Sequence, residues 1–451
     1  MNDLAKRLKE LAKEHDVPGA SLAVLTDDGI ETAVAGVINR NTRVTTTPDS
    51  VFQIGSITKV YTTTLMMQLV DDGVVDLDAT VKTYLERFTL RDRDAAEVIT
   101  VRQLLTHTNG IEGDYFADFG PGADAVERYV DSLSGIGLAH PVGEMWSYSN
   151  AALVVAGRII EVLTGLNYDD ALRQKLLEPA GLGEHVSLVG DAILRRAAAG
   201  HLHGPKKKRA AAATPWALPR STGPAGATIS ASARDVAAFG AIHMNDGRAA
   251  NGTQILSPAS VKQMQTSQFR FAGWPEYQSM GLGWILEDWN GAQARWHNGG
   301  TVGQYSFLCI VPERRFAVCV LTNADTGPQL ADTLTREIFS DRLGVTRPAL
   351  PELPKELPSL DLAKYAGTYE RLGFRIEIEP DDGKLNVTVH IAPIFDAKET
   401  TQKFPVSPMD AARFAIVNGE GKVQRTIFFD GFDETGRPGY VSIGRIAKRV
   451  Q

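Results

Sequence analysis

The chain carries only two cysteines, Cys309 and Cys319, in 451 residues. A disulfide-stapled scaffold is thereby excluded, and the two are expected as reduced, buried thiols in neighbouring strands. No run approaches the roughly 20 apolar residues needed to cross a bilayer. The segment Met1 to Glu10 reads as a charged amphipathic helix without an apolar core or a small-residue cleavage site. It is therefore not a secretory signal, and a cytoplasmic location is expected. Basic residues do not predominate: 47 Lys and Arg stand against 54 Asp and Glu, for a net charge of −7. That balance excludes the concentrated basic face of a nucleic-acid binder and offers no polybasic surface to a membrane. The chain has no Gly-x-Ser-x-Gly elbow, which excludes an α/β-hydrolase, and no Gly-rich phosphate loop. His201 and His203 are spaced like a metal pair, but no carboxylate or cysteine nearby in sequence completes a ligand set. Neither a metal nor a cofactor is expected.

Apolar content of 43% and charged content of 22% are ordinary for a folded protein, and the length predicts two domains or one large two-lobed domain. Residues 2 to 15 read as a helix, and Ala20 to Leu25 with Ile30 to Val37 as a hairpin. From about 56 to 255 the pattern is mostly helical, including Lys59 to Asp72, stopped at Gly73, and Asn150 to Thr164, stopped at Gly165. Strand signals return from about 282, and the runs Tyr305 to Val311 and Phe316 to Thr322 read as a hairpin. A helix is predicted near Gln329 to Ser340. Strands at both sequence ends of a helical middle predict an α+β fold: one antiparallel sheet completed from both ends, with a helical lobe inserted. Four prolines between Pro348 and Pro358 mark a semi-rigid linker. Beyond it, alternating runs such as Phe374 to Ile378 and Leu385 to Val389 predict a compact all-β barrel of about eight strands. The expected division is therefore 1–345, a linker at 346–358, and 359–451. Lys206, Lys207, Lys208 and Arg209 resemble a nuclear-localisation patch but sit in an Ala/Gly/Pro-rich stretch and are expected as a solvated loop.

Three short motifs carry chemistry. Ser56 and Lys59 lie three residues apart at the start of a predicted helix, so both side chains share one face. A serine hydroxyl is a weak nucleophile near neutral pH, and an adjacent neutral amine can take its proton. Alone the pattern is weak, since about one or two copies are expected by chance in a chain this long. Tyr148-Ser149-Asn150 and His297-Asn298-Gly299-Gly300 follow, each the single Tyr-x-Asn and His-x-Gly of the chain. In this order and at these separations the three motifs resemble those of the class C β-lactamase and penicillin-binding-protein group of serine hydrolases. The resemblance covers about residues 15 to 340 and takes in the stretch Ile99 to Gly110, Asp235 and Gly281-Leu282-Gly283-Trp284. Tyr365 to Tyr369 resembles the opening of the lipocalin-like domain often appended to such enzymes.

The resemblance implies a β-lactamase/transpeptidase-like fold and an acyl-enzyme on Ser56. Lys59 or Tyr148 would accept the proton, the two acting as one coupled store. Asn150 would hydrogen-bond a substrate amide or Lys59, or else act as a plain helix N-cap. Backbone N–H groups of Ser56 and Gly300 would hold the oxyanion, with Gly299 and Gly300 letting the strand pass close to the ligand. His107 is expected to be structural. His297 departs from the lysine usual in β-lactamases and is similar instead to D-aminopeptidases; imidazole would bind a carboxylate when protonated or relay a proton when neutral. The expected activity is that of a serine acyl hydrolase or acyltransferase acting on peptide-like amides, including those with a D-residue, or on small esters. The alternative is a stand-alone penicillin-binding-protein-type thioesterase that takes a carrier-bound peptide thioester and cyclises it. A β-lactamase and a non-catalytic peptide sensor rank lower. If the C-terminal domain roofs the cleft, Arg445, Lys448 and Arg449 could meet carboxylates of the substrate; otherwise they form an ordinary solvated terminus, the expected case.

Overall fold

The computed structural model describes residues 2–204, 209–271, 278–393 and 400–451. Most of the basic patch at 206–209 lies outside the described residues.

An eight-stranded antiparallel sheet forms the spine of the larger, N-terminal part. Helix α1 (Asn2–Glu14) leads into the hairpin β1 (Gly19–Thr26) and β2 (Gly29–Gly36). The chain then builds a helical lobe containing α2 (Thr58–Asp71), α3 (Asn150–Thr164) and α4 (Ala233–Ile242). It returns to the sheet with β3 (Phe269–Arg270), β4 (Ser279–Met280), β5 (Ile285–Trp289), β6 (Ala292–Gly300), β7 (Tyr305–Val311) and β8 (Phe316–Thr322), and closes with α5 (Gly327–Leu343). The strand order is β2-β1-β8-β7-β6-β5-β4-β3, so the first hairpin pairs with the last strand and both sequence ends complete one sheet, as expected. Among the described residues no single helix is long and apolar enough to cross a membrane.

The central strands β7 and β8 are buried on both faces, and their alternation sorts side chains between two cores. Leu308, Ile310, Cys319 and Leu321 face the helical lobe; Cys309, Val311, Val318 and Val320 face α1 and α5. The thiols therefore lie on opposite sides of the sheet. Register places Cys309 against Val318 and Leu308 against Cys319, and both cysteines are free and buried.

Helix α2 is buried almost all round. Its three consecutive threonines satisfy their hydroxyls locally, each donating to a carbonyl four residues back (2.8–3.1 Å), so three polar groups enter the core without orphaned donors. Helix α3 begins at a cap from Ser149, whose Oγ accepts from Ala152 N–H, and ends where Gly165 turns left-handed.

Residues 346–358 carry no helix or strand. Beyond them eight strands close into an antiparallel barrel: β9 (Gly367–Arg371), β10 (Phe374–Asp381), β11 (Lys384–Ile391), β12 (Thr400–Pro408), β13 (Arg413–Val417), β14 (Val423–Phe432), β15 (Pro438–Ser442) and β16 (Ile446–Arg449). Its interior is filled by Ile376, Val387, Phe414, Ile427 and Phe429, so the barrel is a packed core rather than a ligand cup. Arg449 is part of that structure: its guanidinium donates to the carbonyls of Lys364 (3.0 Å) and Pro438 (3.1 Å) and to the Tyr369 hydroxyl (3.1 Å). It is thus neither free to meet a substrate nor part of a solvated tail, whereas Lys448 is exposed on the barrel wall.

Candidate active site

Ser56 lies in a single 3₁₀ turn, Gly55–Ile57, that runs directly into α2. The turn is wedged against the end of β6. A side chain on Gly299 would collide with the carbonyl of Ile54 (2.0 Å) and the nitrogen of Ser56 (2.7 Å), and one on Gly55 would strike Gly300 N (2.8 Å). Gly299 is required because backbone meets backbone there. At Gly300 a Cβ would meet nothing within 4 Å, so no protein atom demands glycine at that position. Gly226 packs on the other side of the same turn, its Cβ position 2.2 Å from Gly55 O.

One helical turn on, the Lys59 side chain is 1% exposed. Its Nζ donates to Ser56 Oγ at 2.9 Å and to the carbonyl of Ala225 at 2.6 Å. Among the described residues no carboxylate pairs with it. Burial therefore pushes the Lys59 amine well below its ordinary range, helped by the nearby Arg445 cation and opposed by Asp114. A neutral amine hydrogen-bonded to a serine hydroxyl can accept its proton.

Tyr148 covers this pair, with Lys59 Nζ 4.8 Å from its ring centroid. The ring is held from behind by His107 (centroids 4.5 Å), which is buried and left-handed at φ 59°. His107 Nδ1 accepts from Ser149 N–H at 3.1 Å, so it fixes the loop bearing Tyr148 and stays neutral, burial pushing its pKa well down. His297 sits on β6, 6.2 Å from the Tyr148 ring between centroids. Its Nδ1 donates to the carbonyl of Asn298 (2.6 Å), and Nε2 has no partner among the described residues. Burial, with the Lys59 charge as a second cause, pushes His297 down to about 3. Imidazolium binding of a substrate carboxylate is thereby disfavoured at neutral pH, leaving the neutral ring with an unused lone pair.

Asn150 is not the helix cap, a part taken by Ser149. Its side-chain amide turns to Asp114 (3.4 Å) rather than to Lys59. Asp114, which sequence reasoning missed, is buried between two guanidiniums from the barrel: Arg371 at 2.6 Å and Arg445 at 2.9 Å. Arg445 also lies over the Tyr148 ring (5.1 Å), and the next residue, Ile446, donates its N–H to Ser147 Oγ at 3.2 Å. The barrel thus reaches the wall of the site through the start of β16. Asp235 stays outside it, accepting from Glu184 N–H at 2.7 Å. His203 lies between Asp325 (2.6 Å) and Asp16 (3.1 Å), which supply the neighbouring carboxylates not evident in sequence, but as an ion pair; no metal-holding group occurs among the described residues.

A two-lobed sheet-and-helix body with a serine and a buried lysine at the seam defines a serine hydrolase with an appended barrel. The chain belongs to the beta-lactamase family, whose model matches residues 4–342. It is 40% identical over 377 residues to penicillin-binding protein 4 of Amycolatopsis lactamdurans, covering 82% of this chain and 97% of that protein. It is 24% identical over 417 residues to the unguisins hydrolase ungD′ of Aspergillus campestris, covering 83% of this chain and 76% of that one. Among solved structures it is similar over 100% of its length to SurE, covering 99% of that chain with a TM-score of 0.81 and 25% identity. The structure of SurE with D-Leu matches with a TM-score of 0.76.

Proposed function

We propose that the protein forms an acyl-enzyme on Ser56 and acts on peptide-like acyl donors, D-residue-containing amides first and small esters second. The observation that carries this reading is the 2.9 Å hydrogen bond from a buried, carboxylate-free Lys59 to Ser56 Oγ. In acylation the Oγ–carbonyl carbon bond forms while the bond to the leaving nitrogen, oxygen or sulfur breaks. The Oγ proton passes to the Lys59 and Tyr148 pair and from it to the leaving group. Backbone N–H groups of Ser56 and Gly300, on adjoining segments of the chain, are the oxyanion donors in this scheme. His297, on the strand that carries Gly300, offers Nε2 as a neutral acceptor in this scheme. Similarity to an unguisins hydrolase and to a protein solved with D-Leu supports a peptide acyl group with a D-residue.

A second reading, cyclising release of a carrier-bound peptide thioester, is favoured by one observation: the barrel walls the site through Arg445. A cyclase must keep water from the acyl-enzyme and hold the peptide's own amine within reach. A peptide thioester with a free amino terminus and a D-configured last residue separates the readings. Cyclic product, turning to linear acid when the chain is cut after Lys355, supports cyclisation. Linear acid alone at every peptide length leaves the hydrolase. Absence of any Ser56 adduct with thioester, ester or amide overturns both.

A further inference from the structure

A small cavity of about 120 Å³ opens where the barrel meets the catalytic body, beside the Tyr148 loop. Its barrel wall follows from strand alternation. Ile427 and Phe429 point into the barrel core, so Phe428 and Asp430 point outward on β14. Across the ladder Phe428 pairs with Ser442 and Asp430 with Tyr440, which brings four side chains onto one outer face. The opposite wall is Trp146, two residues before Tyr148, with Phe271 set edge-on against it at 4.8 Å. Glu144 stands at the rim.

Three features distinguish this pocket from an ordinary domain seam. Its walls are aromatic on both sides. Neither Glu144 nor Asp430 has a cationic partner among the described residues, and burial, followed by these two carboxylates, raises the Tyr440 hydroxyl above the ordinary range. Finally, Ser442, 4% exposed, lines the cavity with an Oγ that has no hydrogen-bond partner. Aromatic faces and carboxylates both attract a cation, and a buried hydroxyl can accept from an N–H. The volume is somewhat below that of a cavity of about 150 Å³ that takes benzene, so it admits a short alkyl chain and a charged head.

We propose that this pocket binds the alkylammonium group of a peptide, from a lysine-type side chain or a free amino terminus. The proposal deepens the reading of a peptide acyl donor, because the pocket adjoins the Tyr148 loop, and it gives the site a preference for cationic peptides. It is tested first without catalysis, by calorimetric titration of the full-length protein with n-butylammonium and its neutral counterpart n-butanol. Butylammonium should bind at least about tenfold more tightly, and Glu144→Gln with Asp430→Asn should remove that preference. Both acids are exposed, so folding is not at stake. Equal binding of the two probes, or a preference that survives the double change, overturns the proposal. Two peptides then separate the sources: one acetylated at its amino terminus with a lysine, one with a free amino terminus and norleucine instead. Binding of either that depends on Glu144 and Asp430 supports the proposal and names the source. Failure of both overturns it. If binding holds but Ser56 never acylates, the catalytic reading has failed and the pocket stands.

Discussion

Two buried charged groups face each other across the site and are handled in opposite ways. Lys59 enters the core without an acid and is left to lose its proton. Asp114 is instead flanked by two guanidiniums, Arg371 at 2.6 Å and Arg445 at 2.9 Å. The first arrangement sacrifices an ion to make a base. The second sets an acid between two guanidiniums to dock one domain on another, and breaking such a pair costs about 3–5 kcal/mol. The two are coupled because Arg445 belongs to the second arrangement and acts on the first.

The comparison breaks most severely at Lys59. Lys59→Ala and Tyr148→Phe should each slow Ser56 acylation at least about 100-fold, and the double variant should be little worse than either. Pre-steady-state labelling measures this, and multiplicative losses would show independent groups. Ser56→Ala should abolish labelling. On the docking side, Asp114→Ala leaves Arg371 and Arg445 without their acid and should destabilise the chain by about 3 kcal/mol. Denaturant unfolding of the full-length protein would measure it; Asp114→Asn, which keeps the shape, should cost less. His297→Lys sharpens the contrast by adding a second amine beside Lys59. It should impair the native activity and improve acylation by penicillin-type carboxylates; no change in either would make His297 a packing residue.

The smallest effect concerns His203, an ion pair near the surface rather than a buried one. Hydrogen bonding to Asp325 and Asp16 raises its pKa above 6.5. A raised folded pKa stabilises fully below the unfolded value and the benefit fades as pH rises through the folded one. His203→Gln should therefore lower Tm at about pH 5.5 and change it little at pH about 9, by less than about 1 kcal/mol in total.

Much of this was legible in sequence because it is local. Ser56 and Lys59 share a helix face by spacing alone, and the hairpin Tyr305–Val311 with Phe316–Thr322 has the bounds that its apolar runs predict. The sheet completed from both ends and the eight-stranded barrel also agree with the pattern. What sequence did not reveal depends on contacts between distant segments. Asp114 follows the His107 stretch closely but acquires meaning only when Arg371 and Arg445 arrive from the barrel. The glycine at 299 was read as clearance for a ligand, and the wedge against Ile54 and Ser56, which also demands it, was not visible in the motif. The burial that neutralises His297 is likewise a property of packing, not of the motif.

The central claim is that Lys59 is a neutral base whose neutrality the barrel reinforces through Arg445. The direct measurement is the pH dependence of fluorophosphonate labelling of Ser56 in the wild type and in Arg445→Gln. Removing a neighbouring cation makes Lys59 easier to protonate, so the account predicts an inflection displaced to higher pH in the variant, with Asp114→Asn moving it the other way. An inflection that stays in place, or falls, in Arg445→Gln would contradict it.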